Sequence, residues 1–345
     1  MTIYVLDDEL RKLIAERGWN SLTPVQLKAF PEIVSGKNTL IVAPTGWGKT
    51  EAAILPILQL MLKERPKPVS LLYITPLRAL INDIVLRLKW WGDRLGFRVA
   101  RKHGDVSSSE KAKRLRKVPH IMVTTPESLE IDLDCAQRFR RHLLNVKWVI
   151  VDEVHELVQS KRGTQLSVLL ERLMDFSGRD FQRIGLSATV GDTQKVLEFL
   201  AGGSSRPFSI INYGFNKPLK LTVKTVRDGH DDIWSNVAKI IASSIEPPSL
   251  IFVNSRFTSE RLHEALEELG LSKIYVHHSS VSRDDRWRVE EKLKKGDIKA
   301  VVCTKTLELG IDIGFINNVI QFRPTASVST LLQRIGRSGH EVDSE

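Results

Sequence analysis

The sequence has few cysteines and no apolar stretch long enough to cross a membrane. Only two of its 345 residues are cysteines, Cys135 and Cys303. Two thiols cannot build a disulfide framework, and we interpret both as buried thiols in a reducing compartment. The N-terminus also lacks the basic and apolar regions of a signal peptide. We therefore expect a soluble, cytoplasmic protein rather than a membrane-embedded or disulfide-stabilised one.

Acidic residues are fewer than basic residues. The chain has 41 of the former and 51 of the latter, which gives a formal net charge of +10. A basic balance of this size makes a polyanion the first partner to consider. A chain of 345 residues is also long for a single hydrophobic core and comfortable for two domains. No low-complexity segment interrupts it.

Apolar strand patterns and helical patterns alternate along the chain with short turns between them. This alternation predicts an α/β fold, with a mostly parallel sheet covered by helices on both faces. The pattern relaxes around the run GGSSRP at 202–207 and again at 216–218. We therefore predict an N-terminal domain over 1–206, a linker over 207–218 and a C-terminal domain over 219–345 that repeats the architecture. In that second half we predict a first strand at 219–226. The chain stops soon after a predicted helix at 327–336, so it is either a fragment or a domain whose sheet ends early.

A glycine-rich loop lies between an apolar strand and a helix near the start of the chain. Residues 43–50 read APTGWGKT, after the apolar run 39–42 and before a helical pattern that begins at 51. Gly46 and Gly48 allow backbone N–H groups to surround phosphate oxygens, and Thr45 belongs to the same loop. Lys49 can reach the β- and γ-phosphates, and the Thr50 hydroxyl can bind magnesium. The alternative, a simple glycine turn with a solvated lysine, leaves these coincidences unexplained.

A second cluster follows another apolar strand. Asp152 and Glu153 come at the end of the run 148–151, at the strand edge where ligands bind in parallel sheets. Asp152 can hold the magnesium ion that Thr50 also binds, and Glu153 can orient or deprotonate the attacking water. Taken alone, the pair could equally cap the next helix. We interpret His155 as a coupling residue toward Ser187 and Thr189 of another strand end, because no ligand spacing makes it a metal site.

These motifs, with one near the C-terminus, resemble those of superfamily 2 helicases. The set is 149–155 (VIVDEVH), 186–189 (LSAT) and 333–340 (QRIGRSGH). Four further segments are most similar to the large-helicase-related (Lhr) branch: 75–80 (TPLRAL), 124–128 (TTPES), 306–312 (TLELGID) and the doublet at 277 and 278. The resemblance covers residues 18 to 340. It implies two tandem RecA-like domains that share one nucleotide.

The resemblance also implies roles for individual residues around ATP. Gln26 matches the residue that reads the adenine edge. Gly310 and Asp312 match positions near the ribose or between nucleotide and strand. Arg337 matches the arginine finger that stabilises charge on the transferring phosphoryl group, and Arg334 matches a position of more variable role. Residue 340 is a histidine where many relatives have a second arginine.

Other matching positions lie in elements that touch the nucleic-acid backbone in such enzymes. Hydroxyls and arginines suit this task because they bind phosphates without reading sequence. Each is also a common loop or capping residue, so the structural interpretation stays open for every one. The predicted nucleic-acid contacts are Arg78, Thr125, Pro126, Ser255, Arg256, Thr304 and Thr306.

A basic segment between 87 and 117 can be interpreted in two ways. It is either a phosphate-contacting surface or the solvated face of helices. Trp90 and Trp91 suggest base stacking, although helix packing is the better explanation for at least one of them.

Together these observations predict a nucleic-acid-dependent ATPase with ATP and Mg²⁺ as cofactors. By resemblance we expect a monomeric helicase that moves 3′→5′ on single-stranded DNA and opens DNA or RNA–DNA duplexes. An RNA helicase or RNP remodeller is a second hypothesis. A nucleic-acid-binding module with little ATPase activity is a third, against which the intact set Lys49, Asp152, Glu153 and Arg337 argues.

Overall fold

The structure is a computed structural model that describes most of the chain. The described residues are 6–44, 46–76, 78–102, 117–158, 160–188, 192–213, 220–226, 232–308, 314–325 and 327–338. Four predicted site residues lie outside them: Thr45, Thr189, Gly310 and Asp312. The side chain of Arg78 and the basic residues between 103 and 116 are also outside.

Helices and strands alternate along the described residues as the sequence predicts. The helices are α1 (Asp8–Glu16), α2 (Pro24–Val34), α3 (Lys49–Glu64), α4 (Arg78–Leu95), α5 (Pro126–Asp134), α6 (Gln137–Arg140), α7 (Val154–Val158), α8 (Lys161–Ser177), α9 (Thr193–Ala201), α10 (Ile233–Ala242), α11 (Arg256–Glu268), α12 (Arg283–Lys294) and α13 (Val328–Ile335). The strands are β1 (Asn38–Val42), β2 (Leu71–Ile74), β3 (Val99–Lys102), β4 (Ile121–Thr124), β5 (Trp148–Val151), β6 (Gln182–Ser187), β7 (Phe208–Asn212), β8 (Ser249–Phe252), β9 (Ile274–His277), β10 (Ala300–Cys303) and β11 (Asn318–Gln321). Short 3₁₀ turns cover Arg141–Asn145 and Lys305–Leu307.

The first of two compact units contains a parallel sheet. Its strand order over the described residues is β3-β4-β2-β5-β6-β1-β7, and every pairing is parallel. Strands β1, β2, β4, β5 and β6 are buried along their whole length, as expected for a sheet covered on both faces. The core on one face joins β1, β2 and β5 to helices α5, α8 and α9.

The second unit contains a smaller parallel sheet with the order β11-β8-β10-β9. Apolar clusters lie on its two faces. One joins β8 and β10 to α10 and α11, and the other joins the same strands to α12 and the segment around Ile316. The predicted α/β class, with parallel sheets and helices on both faces, is therefore confirmed for both units.

The division between the units falls between residues 215 and 216. Strand β7 lies within the segment 207–218 that the sequence assigns to a linker. It pairs along its whole length with β1, so that part of the segment belongs to the first sheet. The division itself falls within the predicted linker, in the part that follows β7.

Two further expectations from the sequence are wrong. The described residues 220–226 of the predicted strand 219–226 belong to neither sheet, because Leu221 and Val223 are 66% and 80% exposed and have no apolar layer to cover. Cys135 is exposed at the end of α5, whereas Cys303 is buried in β10 as expected.

None of the helices that the structure describes has the length and apolar composition of a membrane-spanning segment.

Candidate functional site

Three sequence motifs meet at one edge of the first sheet. Strands β5, β6 and β1 are neighbours and run parallel, so their carboxyl ends lie side by side. The glycine loop follows β1, Asp152 follows β5, and Ser187 ends β6. In open parallel sheets ligands bind at this edge. The topology therefore brings together residues that are more than a hundred positions apart in the chain.

The backbone of the loop explains why glycine stands at 46 and 48. Gly46 and Gly48 have φ angles of 82° and 72°, in the left-handed region that favours glycine. A Cβ at Gly48 would also lie 2.5 Å from Nε2 of Gln26. Gly48 caps α3 without any side-chain hydrogen bond, so the first N–H groups of this helix point toward the loop. This arrangement fits the phosphate groups of a nucleotide.

The Lys49 ammonium group lies across the same loop. Its Nζ donates hydrogen bonds to the carbonyl oxygens of Ala43 at 2.6 Å and Pro44 at 2.9 Å. Burial raises the pKa of Asp152, and the charge of Lys49 partly offsets that rise. The ammonium is thus held between the loop and the acidic strand end, where a phosphate oxygen would be bound.

Replacement of Lys49 by alanine is expected to lower kcat for ATP hydrolysis by about 10²-fold, the typical cost of losing one electrostatic stabiliser. The cation that neutralises phosphate charge would be gone, whereas the nucleic-acid surface would be intact. ATPase kinetics and binding of labelled single-stranded DNA without nucleotide measure the two effects. Lys63→Ala, at the other end of α3, serves as the control. An unchanged kcat would contradict the phosphate role of this loop.

Gln26 connects the predicted adenine-reading element to the loop. Its Oε1 accepts from the Thr23 N–H at 3.0 Å and its Nε2 donates to the Gly48 carbonyl at 3.4 Å. The side chain is only 5% exposed. Each end of an amide can make a second hydrogen bond, so adenine reading remains compatible with these contacts. It stays a prediction.

Trp47 packs beside this element, which gives a structural reason for an aromatic residue within the loop. Its ring centroid lies 6.1 Å from that of Tyr213, at the end of β7. The Tyr213 hydroxyl donates to the Pro24 carbonyl at 3.1 Å, and Lys28 Nζ lies 4.8 Å from the Tyr213 centroid. The indole therefore ties the loop to the start of α2 and the edge strand.

Asp152 is held by donors on both of its carboxylate oxygens. Oδ1 accepts from the Glu153 backbone N–H at 3.0 Å, and Oδ2 accepts from the Tyr73 hydroxyl at 2.8 Å. Burial, followed by the charge of Glu153, raises the pKa of Asp152 to about 6. Burial and the nearby Asp152 charge also raise the pKa of Tyr73 well above its ordinary value, so the phenol keeps its proton and is the donor.

Asp152 and Thr50 provide the kind of oxygen ligands that Mg²⁺ prefers. Among the described residues no group of three or more His, Cys, Asp or Glu side chains could hold a metal ion. Magnesium at phosphate sites usually takes only one or two protein ligands, with the rest from phosphate and water. One carboxylate and one hydroxyl beside a phosphate loop therefore fit this ion, whereas they would not fit a structural zinc site.

Glu153 and His155 form the link to β6. Glu153 is almost buried and has a φ of 46°, a strained value for a residue with a side chain. Burial lowers the pKa of His155 to about 4, so its ring is neutral near pH 7. Nδ1 of His155 accepts from the Ala188 N–H at 3.4 Å and lies 3.0 Å from Ser187 Oγ.

This arrangement determines where the proton of the histidine lies. Because the backbone N–H of Ala188 can only donate, Nδ1 of His155 must be the acceptor and Nε2 carries the hydrogen. Nε2 lies 3.6 Å from Oε2 of Glu153. His155 therefore lies between the end of β6 and the Glu153 carboxylate, and its coupling role stays a prediction.

Arg162 connects two segments that the sequence assigns to nucleic-acid contact. Its guanidinium donates to both carboxylate oxygens of Glu127, at 2.5 and 3.1 Å, and to the Pro76 carbonyl at 2.6 Å.

The next residue, Gly163, allows α8 to approach α7, because a Cβ there would lie 2.0 Å from the Leu157 carbonyl oxygen.

The side chain of Thr125 is enclosed rather than presented to solvent. Its hydroxyl caps α5 by accepting from the Ser128 N–H at 3.4 Å, and both Thr125 and Pro126 are buried. A direct contact of this hydroxyl with a phosphate would require the cap to open. Pro126 has no N–H and the Ser128 N–H already donates to Thr125, so the predicted phosphate contact of this segment stays a prediction.

The described part of the basic segment is largely engaged within the protein. Arg87 pairs with Glu51 at 2.6 Å, and Lys102 pairs with the buried Asp132. Trp91 is 1% exposed and packs in the helix interface, while the Arg94 guanidinium lies 4.3 Å from the Trp90 centroid. These contacts favour the structural interpretation for this part of the segment.

In the second unit, both predicted nucleotide-binding arginines are buried beside Glu308. Arg334 donates to the Glu308 carboxylate at 3.0 and 3.1 Å and to Gln321 Oε1 at 2.8 Å. The Arg337 guanidinium donates to the Glu308 backbone carbonyl at 2.9 Å. Arg337 is 5% exposed, and its predicted action on a phosphate stays a prediction.

The remaining predicted contacts of this unit lie at the carboxyl edge of its sheet. Ser255 caps α11 by accepting from the Thr258 N–H at 3.0 Å, and the exposed Arg256 donates to Ser280. Thr304 follows β10, and Thr306 Oγ1 lies 2.7 Å from Nδ1 of His277 at the end of β9. The structure thus groups these residues on one edge, and their contact with nucleic acid stays a prediction.

Sequence reasoning missed Tyr73, Arg162 and Glu308. Tyr73 is the one polar side chain in the strand Leu71–Ile74, and that contrast was a signal that could have found it. Arg162 and Glu308 lie among other charged residues, and nothing local distinguishes them.

The fold and the site define a class of protein. Two units with parallel sheets, a phosphate loop after β1 and an acidic pair after β5 are the core of a helicase-type ATPase.

Comparison with known families and structures agrees with this class. The family model described as DEAD/DEAH box helicase matches residues 23–197, and the model described as helicase conserved C-terminal domain matches 233–341. The chain therefore belongs to the DEAD/DEAH box helicase family.

Several relatives carry the name of the branch that the motifs resemble. The ATP-dependent helicase Lhr-Core of Sulfolobus acidocaldarius is 41% identical over 348 residues, covering 93% of this chain and 40% of that protein. The Lhr-Core protein of Saccharolobus solfataricus is 39% identical, covering 99% of this chain and 43% of that protein. The solved structure of Mycobacterium smegmatis helicase Lhr bound to ssDNA and AMP-PNP has a TM-score of 0.83 and 34% identity, covering 98% of this chain and 46% of that one.

The predicted resemblance to superfamily 2 helicases of the Lhr branch is thus confirmed, and so is the tandem RecA-like fold. ATP binding follows from the family. The chain spans less than half the length of each of these relatives.

Proposed function

We propose that this chain is the motor core of an ATP-dependent helicase that moves 3′→5′ along single-stranded DNA and opens DNA or RNA–DNA duplexes. The observation that carries the proposal is the convergence of Lys49, Asp152 and Glu153 at one sheet edge, where the strand order makes β1 and β5 flank β6. Retention of all three side chains argues for hydrolysis rather than passive nucleic-acid binding.

The residues of the first unit divide the work of hydrolysis. The N–H groups of the glycine loop and the Lys49 ammonium bind and orient the phosphates. Asp152 and Thr50 would hold Mg²⁺, which when bound would neutralise charge on the phosphate oxygens. Glu153 takes a proton from the attacking water, while its link to His155 passes the state of the site to β6.

Arg337 supplies the final element of this mechanism. We propose that its guanidinium leaves the Glu308 carbonyl when ATP and nucleic acid are bound, and then stabilises charge on the transferring phosphoryl group. The ion pair between Glu308 and Arg334 remains in place. Hydrolysis would then depend on nucleic acid, because only the bound state releases the arginine.

Three observations support a nucleic acid as the substrate, and the third of them favours DNA. The chain has a net charge of +10, a hydroxyl and arginine set lies at the sheet edge of the second unit, and the solved Lhr structure of Mycobacterium smegmatis is bound to ssDNA. Contacts of this type depend on phosphate charge and not on base sequence.

An ATPase titration with single-stranded DNA, single-stranded RNA and RNA–DNA hybrid of equal length tests the proposal. We expect DNA to stimulate ATP hydrolysis most, and the affinity for DNA to fall steeply as salt rises. Strand displacement from duplexes with 3′ or 5′ single-stranded tails then tests the direction. Stimulation by RNA alone would favour the RNA helicase, and the absence of any ATPase would favour the binding module.

A further inference from the structure

Tyr73 is a polar side chain within an otherwise aliphatic, fully buried strand. Its neighbours Leu72 and Ile74, like Tyr73 itself, are 0% exposed. A buried hydroxyl needs a hydrogen-bond partner, since an unpaired one would be costly. The Tyr73 hydroxyl donates to Asp152 Oδ2 at 2.8 Å. Asp152 is one of the two residues assigned to magnesium.

The direction of this hydrogen bond is fixed. A phenol has one proton, and Asp152 as a carboxylate can only accept, so Tyr73 donates to Asp152. The proton of the Tyr73 hydroxyl therefore lies toward Asp152 Oδ2.

The carboxylate of Asp152 is oriented by the same contact. Tyr73 holds Oδ2 while the Glu153 backbone N–H holds Oδ1 at 3.0 Å. Donors on both oxygens fix the plane of the carboxylate, and each oxygen retains a second lone pair for a cation. Without the phenol, the Asp152 carboxylate would lose one of these two donors, in a buried site beside the like charge of Glu153.

We propose that Tyr73 is a positioning residue for the magnesium site, acting through the orientation of Asp152. The inference rests on the proposed function, because it concerns the ion that this function requires. Partners of this kind typically change metal affinity or activity 10- to 100-fold when they are removed.

The test compares nucleotide binding with and without magnesium. The Kd of mant-AMP-PNP is measured in Mg²⁺ and in EDTA for the wild-type chain and for Tyr73→Phe, which removes only the hydroxyl oxygen. We expect the Kd of the variant to rise about tenfold in Mg²⁺ and to stay at the wild-type value in EDTA. Tyr275→Phe is the matched control, because its hydroxyl accepts a hydrogen bond from Lys292 in the second unit.

A second variant tests whether Tyr73 acts through Asp152. In an Asp152→Asn background, adding Tyr73→Phe should produce no further change in either Kd, whereas an additional loss would overturn the proposed route. An equal rise in Mg²⁺ and EDTA would show a structural role only and would overturn the inference. If Tyr73→Phe has the same ratio of the Kd values in EDTA and Mg²⁺ as the wild type, and Mg²⁺ strengthens binding to the wild type, the inference is overturned while the proposed function stays intact. If the Kd of the wild-type chain is the same in Mg²⁺ and in EDTA, the chain has no such metal site, and both the inference and the proposed function are overturned.

Discussion

Replacement of Arg337 by alanine is expected to lower nucleic-acid-stimulated kcat by about 10³-fold, as loss of an arginine finger does in related phosphoryl-transfer sites. ATP affinity should change far less, because the guanidinium acts mainly on charge that develops in the transition state. Steady-state ATPase assays with saturating single-stranded DNA, together with the Kd of mant-AMP-PNP, separate the two effects. The stimulated rate of the unmutated chain is measured first, since it is the reference for the loss.

Two companion variants make this measurement specific. Arg337→Lys keeps a positive charge but loses the planar fork, so it should recover only part of the rate. His340→Ala should have a mild effect, because the histidine is not expected to act as a second finger. Since Arg337 donates to the Glu308 carbonyl at 2.9 Å, a thermal melt of each variant checks the fold of the second unit. Intact stimulation in a folded Arg337→Ala protein would contradict the proposed mechanism.

Glu153→Gln is expected to lower kcat by about 10²- to 10⁴-fold, the range for loss of a general base. Glutamine keeps the shape of the side chain but cannot take a proton from water. The affinities for ATP and Mg²⁺ should stay near those of the wild type, because Asp152 and Lys49 are unchanged. Single-turnover hydrolysis and mant-AMP-PNP binding measure the two quantities.

Glu156 provides a matched control for this change. Its Oε1 lies 3.9 Å from Nε2 of His155, close to the 3.6 Å of Glu153 Oε2, but its side chain is 38% exposed. Glu156→Gln should therefore hydrolyse ATP at nearly the wild-type rate. If the ATP affinity of Glu153→Gln falls as far as its kcat, Glu153 binds the metal or has a structural role and is not the general base.

Much of the fold was predictable because its signals are local. Strands such as Ile121–Thr124 and helices such as Arg283–Lys294 have the periodicity and caps that mark them in any context. The glycines at 46 and 48 are required by the backbone angles of the loop itself. Errors arose where burial decides, as for the exposed segment 220–226 and the exposed Cys135.

The sequence by itself determined the phosphate loop, the acidic strand end and the order of the motifs, because each depends on residues close together in the chain. Only the tertiary structure decided how they are supported. Tyr73 meets Asp152 across 79 positions because β2 lies beside β5, and Arg162 reaches Pro76 across 86 because α8 packs over the same sheet edge. The tertiary structure also decided that the Thr125 hydroxyl is buried and that Arg337 donates to the Glu308 carbonyl. Strand neighbours and side-chain burial come from the packing of the whole unit, which no local pattern records.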